Sequence, residues 1–428
     1  MKKRRPQFIF HLSSFISFLF IASCSQVNDS RTHIEFWALG REGEVVVEMV
    51  REFERQNPTI AVDVQQMPWT AAHEKLLTAI VGESTPDVAQ IGNSWIPEFH
   101  AINAVAELDG FVSNSKAVDQ RDYFAGIWAT NGVEGKLYGI PWYVDTRVMF
   151  YRTDLLAAAG YPRAPRTWSE WMDVCAKLKA NGSQWSILLP TNEWAQPVAL
   201  GLQLDATLLR DRGRYGNFSS PQFVRALDFY FEFFRRGYSP VLSSSQVANL
   251  FQQFAEGDFP MYISGPWQVG EFKRRLPPEF QSKWLTAPLP APDGKEYPGA
   301  SLAGGGSLVI FADSRKKEAS WKLIEFLSAP AQQVRFFELS GNLPARRSAW
   351  NVPAVAGDRY LAAFRLQLEN VVPTPAVPQW EQIATAVFDV AEAALRRGQS
   401  ARQAAAILDR RTDAMLEKRR WIMAREAE

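Results

Sequence analysis

The stretch Gly139-Ile140-Pro141-Trp142-Tyr143-Val144-Asp145-Thr146-Arg147-Val148-Met149-Phe150-Tyr151 constrains this chain more than any other. It reads as the end of a strand, a proline-stiffened crossing that holds two aromatics and one acid, and then a β-rich run. Proline locks φ and biases the residue before it to extended geometry, so the crossing is stiff on one side only, as suits a hinge strand between two lobes. Roughly a hundred residues of alternating strand and helix signals precede it, and a second such series follows. Two α/β lobes joined in this way put Trp142, Tyr143 and Asp145 on the floor of a cleft, where small molecules bind between domains. Taken singly, each equally fits a buried aromatic pair beside an ordinary loop acid.

The series before the crossing is regular. His33–Ala38 reads as a strand, and a helix over 42–55 carries Val45, Val46, Met49, Val50 and Phe53 on one face. Thr59–Val64 and Pro86–Ile91 are further strands, and Met67-Pro68-Trp69 leads into a helix bearing Leu76, Leu77, Ile80 and Val81. Trp37, Trp69, Asn93 and Trp95 then fall near the carboxyl ends of strands, where open α/β sheets gather ligands. After the crossing, Thr167 and Glu170 have capping-box spacing. Pro221–Arg236 is an amphipathic helix whose Phe223, Leu227, Tyr230, Phe231 and Phe234 form a core stripe. Trp194 and Trp267 sit in turns after the strands at 185–189 and 260–263. The run Ser301–Phe311 with Gly304, Gly305 and Gly306 reads as a second crossing that returns the chain to the first lobe, its glycines suiting a moving hinge. It is no phosphate loop, because no Gly-Lys-Ser/Thr follows and a strand stands where a helix should. Helices over 380–396 and 401–419 close the chain.

The N-terminus sets the compartment. Lys2, Lys3, Arg4 and Arg5 precede an apolar stretch from Phe8 to Ala22, which His11, Ser13, Ser14 and Ser17 make too polar to span a bilayer, so residues 1–23 read as a signal peptide. Ile21-Ala22-Ser23-Cys24 has the small residues of a lipoprotein box, which makes Cys24 the lipidated mature N-terminus and 24–30 a tether. The alternative is a signal peptide that happens to hold a cysteine. Removing residues 1–23 takes away four basic and no acidic side chains, leaving 43 basic against 46 acidic. No concentrated positive face for nucleic acid is indicated. Cys175 is then alone in a helical pattern, which excludes an intrachain disulfide and fits a buried structural thiol.

Taken in order, Phe36-Trp37, Thr85-Pro86-Asp87-Val88, Gly139 through Tyr151, Pro165-Arg166-Thr167-Trp168, Ala255-Glu256-Gly257 with Met261, Ser264-Gly265-Pro266-Trp267 and Leu343-Pro344-Ala345-Arg346-Arg347 resemble the extracellular solute-binding proteins of ABC importers. The likeness is to the sugar-capturing, maltose-binding-protein-like cluster, and it spans nearly the whole mature chain. Arg152 departs from it, since the family often has Asn or Asp there. The resemblance implies a two-lobed α/β periplasmic-binding-protein fold of type II, each lobe a mostly parallel sheet flanked by helices. The expected lobes are 31–141 with 302–345, and 142–301 with 346–428. It further implies a monomer without catalytic step or cofactor, anchored in the periplasm or at the cell surface, that hands a sugar to permease subunits. Carried over as ligand contacts are Trp37, Asn93, Trp95, Asp145, Trp194, Trp267, Gly304 and Arg346; the cleft argument adds Trp69, Trp142 and Tyr143.

The chemistry of the residues agrees. The chain holds 15 tryptophans, and the apolar face of a pyranose stacks on indole while its hydroxyls need acceptors and forked donors. Asn93 and Asp145 suit single hydroxyls, and Arg346 a vicinal pair. Other readings use the same inventory. A lipid-anchored glycoside hydrolase needs two acids, for which Asp145 and Glu193 would serve. A zinc hydrolase fails, because His73-Glu74 is followed by Leu77 where the second histidine should stand. The same fold binding a glycerol phosphodiester, a polyamine or an iron chelate would call for a charged cleft, whereas the candidates are mostly aromatic and neutral.

Overall fold

The structure, a computed structural model, describes residues 29–425; the leader and Cys24 lie outside them. β1 (Thr32–Leu39), α1 (Gly40–Gln56), β2 (Ile60–Met67), α2 (Trp69–Val81) and β3 (Val88–Gly92) follow one another as the alternation predicts, and a short helix not expected from the sequence, α3 (Ile96–Ala101), comes next. α1 forms because Val46, Met49, Val50 and Phe53 recur at helical spacing and bury together with Ile34, Phe36 and Ala38 of β1. The period of two along β1 turns Trp37 and Leu39 to the other face, where Met67, Ala72 and Leu76 cover them. Both faces of this strand are therefore core.

β4 (Ile140–Asp145) lies wholly within the same six-stranded sheet, while β5 (Val148–Arg152) belongs to a four-stranded one. The crossing is thus Thr146–Arg147, later than the expected boundary at 141–142. That shift explains Trp142: as an interior residue of a central strand it is fully buried, stacked on Phe336 at 4.1 Å between ring centroids, and it does not line the cleft. α4 (Trp168–Ala180), β6 (Ile187–Leu188), α5 (Ala195–Gln203), α6 (Pro221–Arg235), β7 (Met261–Ser264), α7 (Trp267–Arg275) and β8 (Trp284–Ala287) complete the second layer, with strand order β8-β5-β7-β6. Thr167 caps α4 by accepting the Glu170 N–H at 3.1 Å, but the Glu170 carboxylate turns to Arg163 and the Arg166 N–H instead of closing the box.

The chain returns through β9 (Gly304–Ile310), continues in α8 (Lys317–Ser328), α9 (Pro330–Ser340) and β10 (Leu343–Pro344), and crosses again to α10 (Ala362–Leu368), which packs on β8 and β5. The expected closing helix at 401–419 breaks at Leu416, so the end is α11 (Trp380–Arg397), α12 (Ala401–Met415) and α13 (Glu417–Arg425). The large sheet has order β10-β4-β9-β3-β1-β2. Within these two sheets β1–β2, β1–β3 and β6–β7 pair in parallel, while β9 runs antiparallel to β3 and β4, and β5 to β7 and β8. Mixed sheets replace the expected mostly parallel ones because β9 enters from the other layer rather than over a helix of its own sheet, which frees its direction.

The glycine run is explained by contact. Gly305 holds φ +142°, and a Cβ there or on Gly306 would overlap the Tyr143 carbonyl or ring, so these residues let β9 lie against β4. One large core joins the big sheet to the near face of the small one through Phe150 and Trp284, and a second fills the far face with α4, α5, α6, α11 and α12. Cys175 is buried in the second core, and burial pushes its thiol well above the usual range. Arg152 is buried too, binding Asp154 and the carbonyl of Phe254 at 3.0 Å, so it ties β5 to the neighbouring helix end.

Candidate functional site

A cleft of about 990 Å³ opens between the two sheets. From the large-sheet side Trp69 at the start of α2, Asn93 and Trp95 after β3, Tyr143 and Asp145 on β4, and Gly304 on β9 face it. From the other side come Trp194 at the cap of α5 and Trp267 at the start of α7. The structure brings these eight expected residues together. The indoles fall into two groups: Trp69 and Trp95 meet edge to face at 5.8 Å, and Trp194 and Trp267 stand on the opposite wall, Trp194 packed on Trp380 at 5.6 Å.

Local packing sets each ring. Trp267 is 44% exposed, and a Cβ on Gly265 would overlap its six-membered ring, so the Ser264-Gly265-Pro266-Trp267 turn needs glycine for that close approach. His73 supports Trp95 from behind at 4.9 Å and binds Glu98 at 2.8 Å. The Asn93 amide donates to Thr130 Oγ1 at 3.0 Å and the Ala303 carbonyl at 3.1 Å, leaving Oδ1 as its acceptor. The Tyr143 hydroxyl accepts from Gln90 at 3.2 Å and is pushed well above the usual phenol range by burial.

Three expected residues lie elsewhere. Trp142 is core, as described. Trp37 is only 6% exposed, because it lies inside β1 rather than beyond it; its indole donates to Glu35 at 2.6 Å under Lys75. Arg346 is also buried, and its guanidinium donates to Asp122 at 2.7 Å and the Ala117 carbonyl at 2.7 Å over the Tyr123 ring. It pins two segments of the large-sheet side and does not reach the cleft.

Of the cleft residues that were not expected, Glu42 and Arg147 carry chemistry at its centre. Glu42, in the first turn of α1, is buried and accepts from Asn342 at 3.0 Å and Trp69 at 3.4 Å. Its signal was its place just past the end of β1, the position the strand-end rule favours. Arg147 donates from Nη1 to both carboxylate oxygens of Asp145 at 2.8 and 3.0 Å, its Nη2 approaches Glu193 at 3.6 Å, and the guanidinium lies 4.7 Å from the centre of the Trp267 ring. Two-residue spacing in extended chain puts Asp145 and Arg147 on one side, and that alternation was the readable cue. Burial raises the Asp145 carboxyl above its ordinary value, with Arg147 opposing and Glu193 adding. Burial pulls the Arg147 guanidinium down, but the Asp145 and Glu193 charges outweigh it and hold it above its ordinary value.

Several cleft charges are paired, while Glu42 and Glu338 face no cation among the described residues. Besides Asp145 with Arg147, Lys273 pairs with Asp358, Arg274 with Glu271, and Arg41 donates to the Leu339 carbonyl. Among the described residues no group of three or more His, Cys, Asp or Glu side chains is placed to hold a metal. What the arrangement offers a ligand is stacking faces, a few fixed acceptors and one forked donor, which is chemistry for holding a polar molecule with apolar faces.

A family model described as bacterial extracellular solute-binding protein matches residues 37–334. The structure of the sugar-binding protein MalE from the phytopathogen Xanthomonas citri is 50% identical, covers 92% of this chain and 99% of that one, and has a TM-score of 0.89. The maltotriose-binding protein of Pyrococcus abyssi is 23% identical over 361 residues, 82% of this chain and 75% of its own. The maltooligosaccharide ABC transporter solute-binding lipoprotein of Streptococcus pneumoniae is 24% identical over 269 residues, 60% of this chain and 61% of its own. A solute-binding family takes the place of the glycoside hydrolase that Asp145 and Glu193 alone would allow. A cleft between two mixed sheets, a family match over most of the chain and a half-identical structural relative lead to one conclusion: this chain belongs to the bacterial extracellular solute-binding proteins and has the fold of MalE.

Proposed function

We propose that the chain captures a neutral sugar of at least two rings in this cleft and delivers it to the permease subunits of an ABC importer. The observation that carries the reading is the pair of separate indole groups on opposite walls, Trp69 with Trp95 and Trp194 with Trp267. A pyranose presents apolar C–H faces to such rings, and two platforms suit two rings. The ion pairs of the cleft support an uncharged ligand: its cations Arg147, Lys273 and Arg274 are already held by Asp145, Asp358 and Glu271, which leaves no free cation of these three for a phosphodiester or other anion. Asp145, Arg147, Glu42 and Asn93 serve the hydroxyls, Gly304 lets the ligand approach backbone, and Tyr143 fixes the floor. The sugar-binding names of the relatives agree with this reading.

The reading includes a monomer whose two lobes shut on the ligand about Thr146–Arg147 and the two later crossings. It also includes a lipid on Cys24 that holds the protein to the membrane in the periplasm or at the cell surface. Thermal shift across a panel of mono-, di- and trisaccharides, with glycerol phosphodiesters and polyamines as controls, tests the ligand class, since a ligand bound only by the folded state raises the melting midpoint. A midpoint raised by disaccharides and not by the charged controls is expected; a response confined to the charged compounds overturns the assignment. Detergent-phase partitioning of the wild type, lost in Cys24→Ser, tests the anchor.

A further inference from the structure

A second, open cavity of about 320 Å³ lies beside the segment 373–377, bordered by the end of α5, the residues after it, the turn at Arg212–Gly213 and the start of α13. Leu202, Leu208, Leu209, Pro375 and Val377 make its walls apolar, and among the described residues the charged groups lining it are two arginines, Arg212 and Arg419, with no acid. The acids nearby are committed elsewhere. Asp211 pairs with Arg210 and Asp205 with Lys295, while Asp409 and Asp413 accept the backbone N–H groups of Phe218 and Gly216. Two arginines beside apolar walls, with no acid among the described lining residues to neutralise them, are matched to an anionic group on an apolar body. The turn that carries Arg212 is itself held in an unfavourable conformation: Asp211, Arg212 and Gly213 have consecutive φ values of +53°, +59° and +76°. Such strain in non-glycine residues gathers at ligand-holding sites.

We propose that this cavity is a second ligand site, distinct from the cleft, for a small organic anion whose carboxylate is held by Arg419 and Arg212 and whose aromatic or branched aliphatic body fills the leucine, proline and valine walls. The segment beside it runs past both sites: Thr374 lines the cleft while Pro373 and Pro375 line this cavity. The assignment stands without the sugar reading, because it uses none of the cleft's indoles or acids.

The test is calorimetric titration of the full-length protein with 2-naphthoate, an aromatic carboxylate small enough for the cavity, and with its neutral counterpart 2-naphthamide. Saturable one-to-one binding of naphthoate is expected, with naphthamide weaker by about tenfold or more, since a charge-assisted bond to arginine carries most of the discrimination. Arg419→Gln is expected to weaken naphthoate by about tenfold or more and Arg212→Gln by less, because Arg212 is solvent-exposed. Melting curves of the variants check that both fold. Absence of saturable naphthoate binding overturns the proposal, and so does equal affinity for the amide or for the Arg212→Gln/Arg419→Gln double variant. Maltose titrated into the same variants reports on the cleft alone, so a failure of the sugar reading leaves the naphthoate result standing.

Discussion

Replacing Trp267 by alanine separates a ligand platform from a packing residue. Its ring is 44% exposed in the open mouth of the cleft, so roughly 100 Å² of indole is free for a ligand to cover, out of the 150–250 Å² an aromatic of this size can bury. At about 25 cal/mol per Å² that surface is worth about 2.5 kcal/mol of binding, close to two orders of magnitude in Kd. The cost to the fold is much smaller. The ring stacks against the Arg147 guanidinium, an interaction of about 0.5–1 kcal/mol, and Arg147 keeps its ion pair with Asp145 when the ring is gone. Calorimetric titration with maltose, beside a urea unfolding curve, is the assay. A Kd raised between tenfold and a hundredfold with stability changed by less than about 1 kcal/mol is expected. A Kd within threefold of wild type would refute the claim that the exposed indole contacts sugar, and a collapse of stability would refute the claim that the ring is not core.

Other perturbations test the remaining assignments. Gly265→Ala keeps the indole but drives it from its seat, so affinity is expected to fall toward the Trp267→Ala level by the same titration, while an unchanged Kd shows the ring can reseat. Trp142→Ala is expected to cost about 3–5 kcal/mol in urea unfolding through the cavity it leaves, with maltose affinity preserved in the fraction that folds. Arg346→Ala leaves Asp122 and two carbonyls facing a lost partner and is expected to cost about 3–5 kcal/mol in the same assay. The His73 imidazole is raised above 6.5 by its hydrogen bond to Glu98, with burial opposing and the Glu98, Glu74 and Glu381 charges adding. The stability this confers is therefore full below 6.5 and is lost as pH rises through the folded value. The melting midpoint is expected to fall across that range in wild type more than in His73→Gln; equal slopes would remove His73 as the cause.

Much of the site was readable because tryptophans that begin helices or follow strands have few ways to be buried. Trp69, Trp95, Trp194 and Trp267 occupy such places and all reach the cleft. Trp37 and Trp142 escaped the same argument by a few residues. A strand that continues past an aromatic turns it from a tip residue into a core residue, and local sequence does not mark where pairing ends. Arg346 was misplaced for a related reason. A cationic side chain after a strand suits a ligand clamp and a buried strut equally, and only the neighbours Asp122 and the Ala117 carbonyl decide between them.

The regular alternation of apolar periods by itself marked two α/β layers joined by a crossing, since those properties depend on residues near one another along the chain. Strand direction, the true position of the crossing and the pairing of Asp145 with Arg147 beneath Trp267 came only with the tertiary structure. Each depends on contacts between segments far apart in sequence, and such contacts are chosen by packing and charge matching that no single stretch contains.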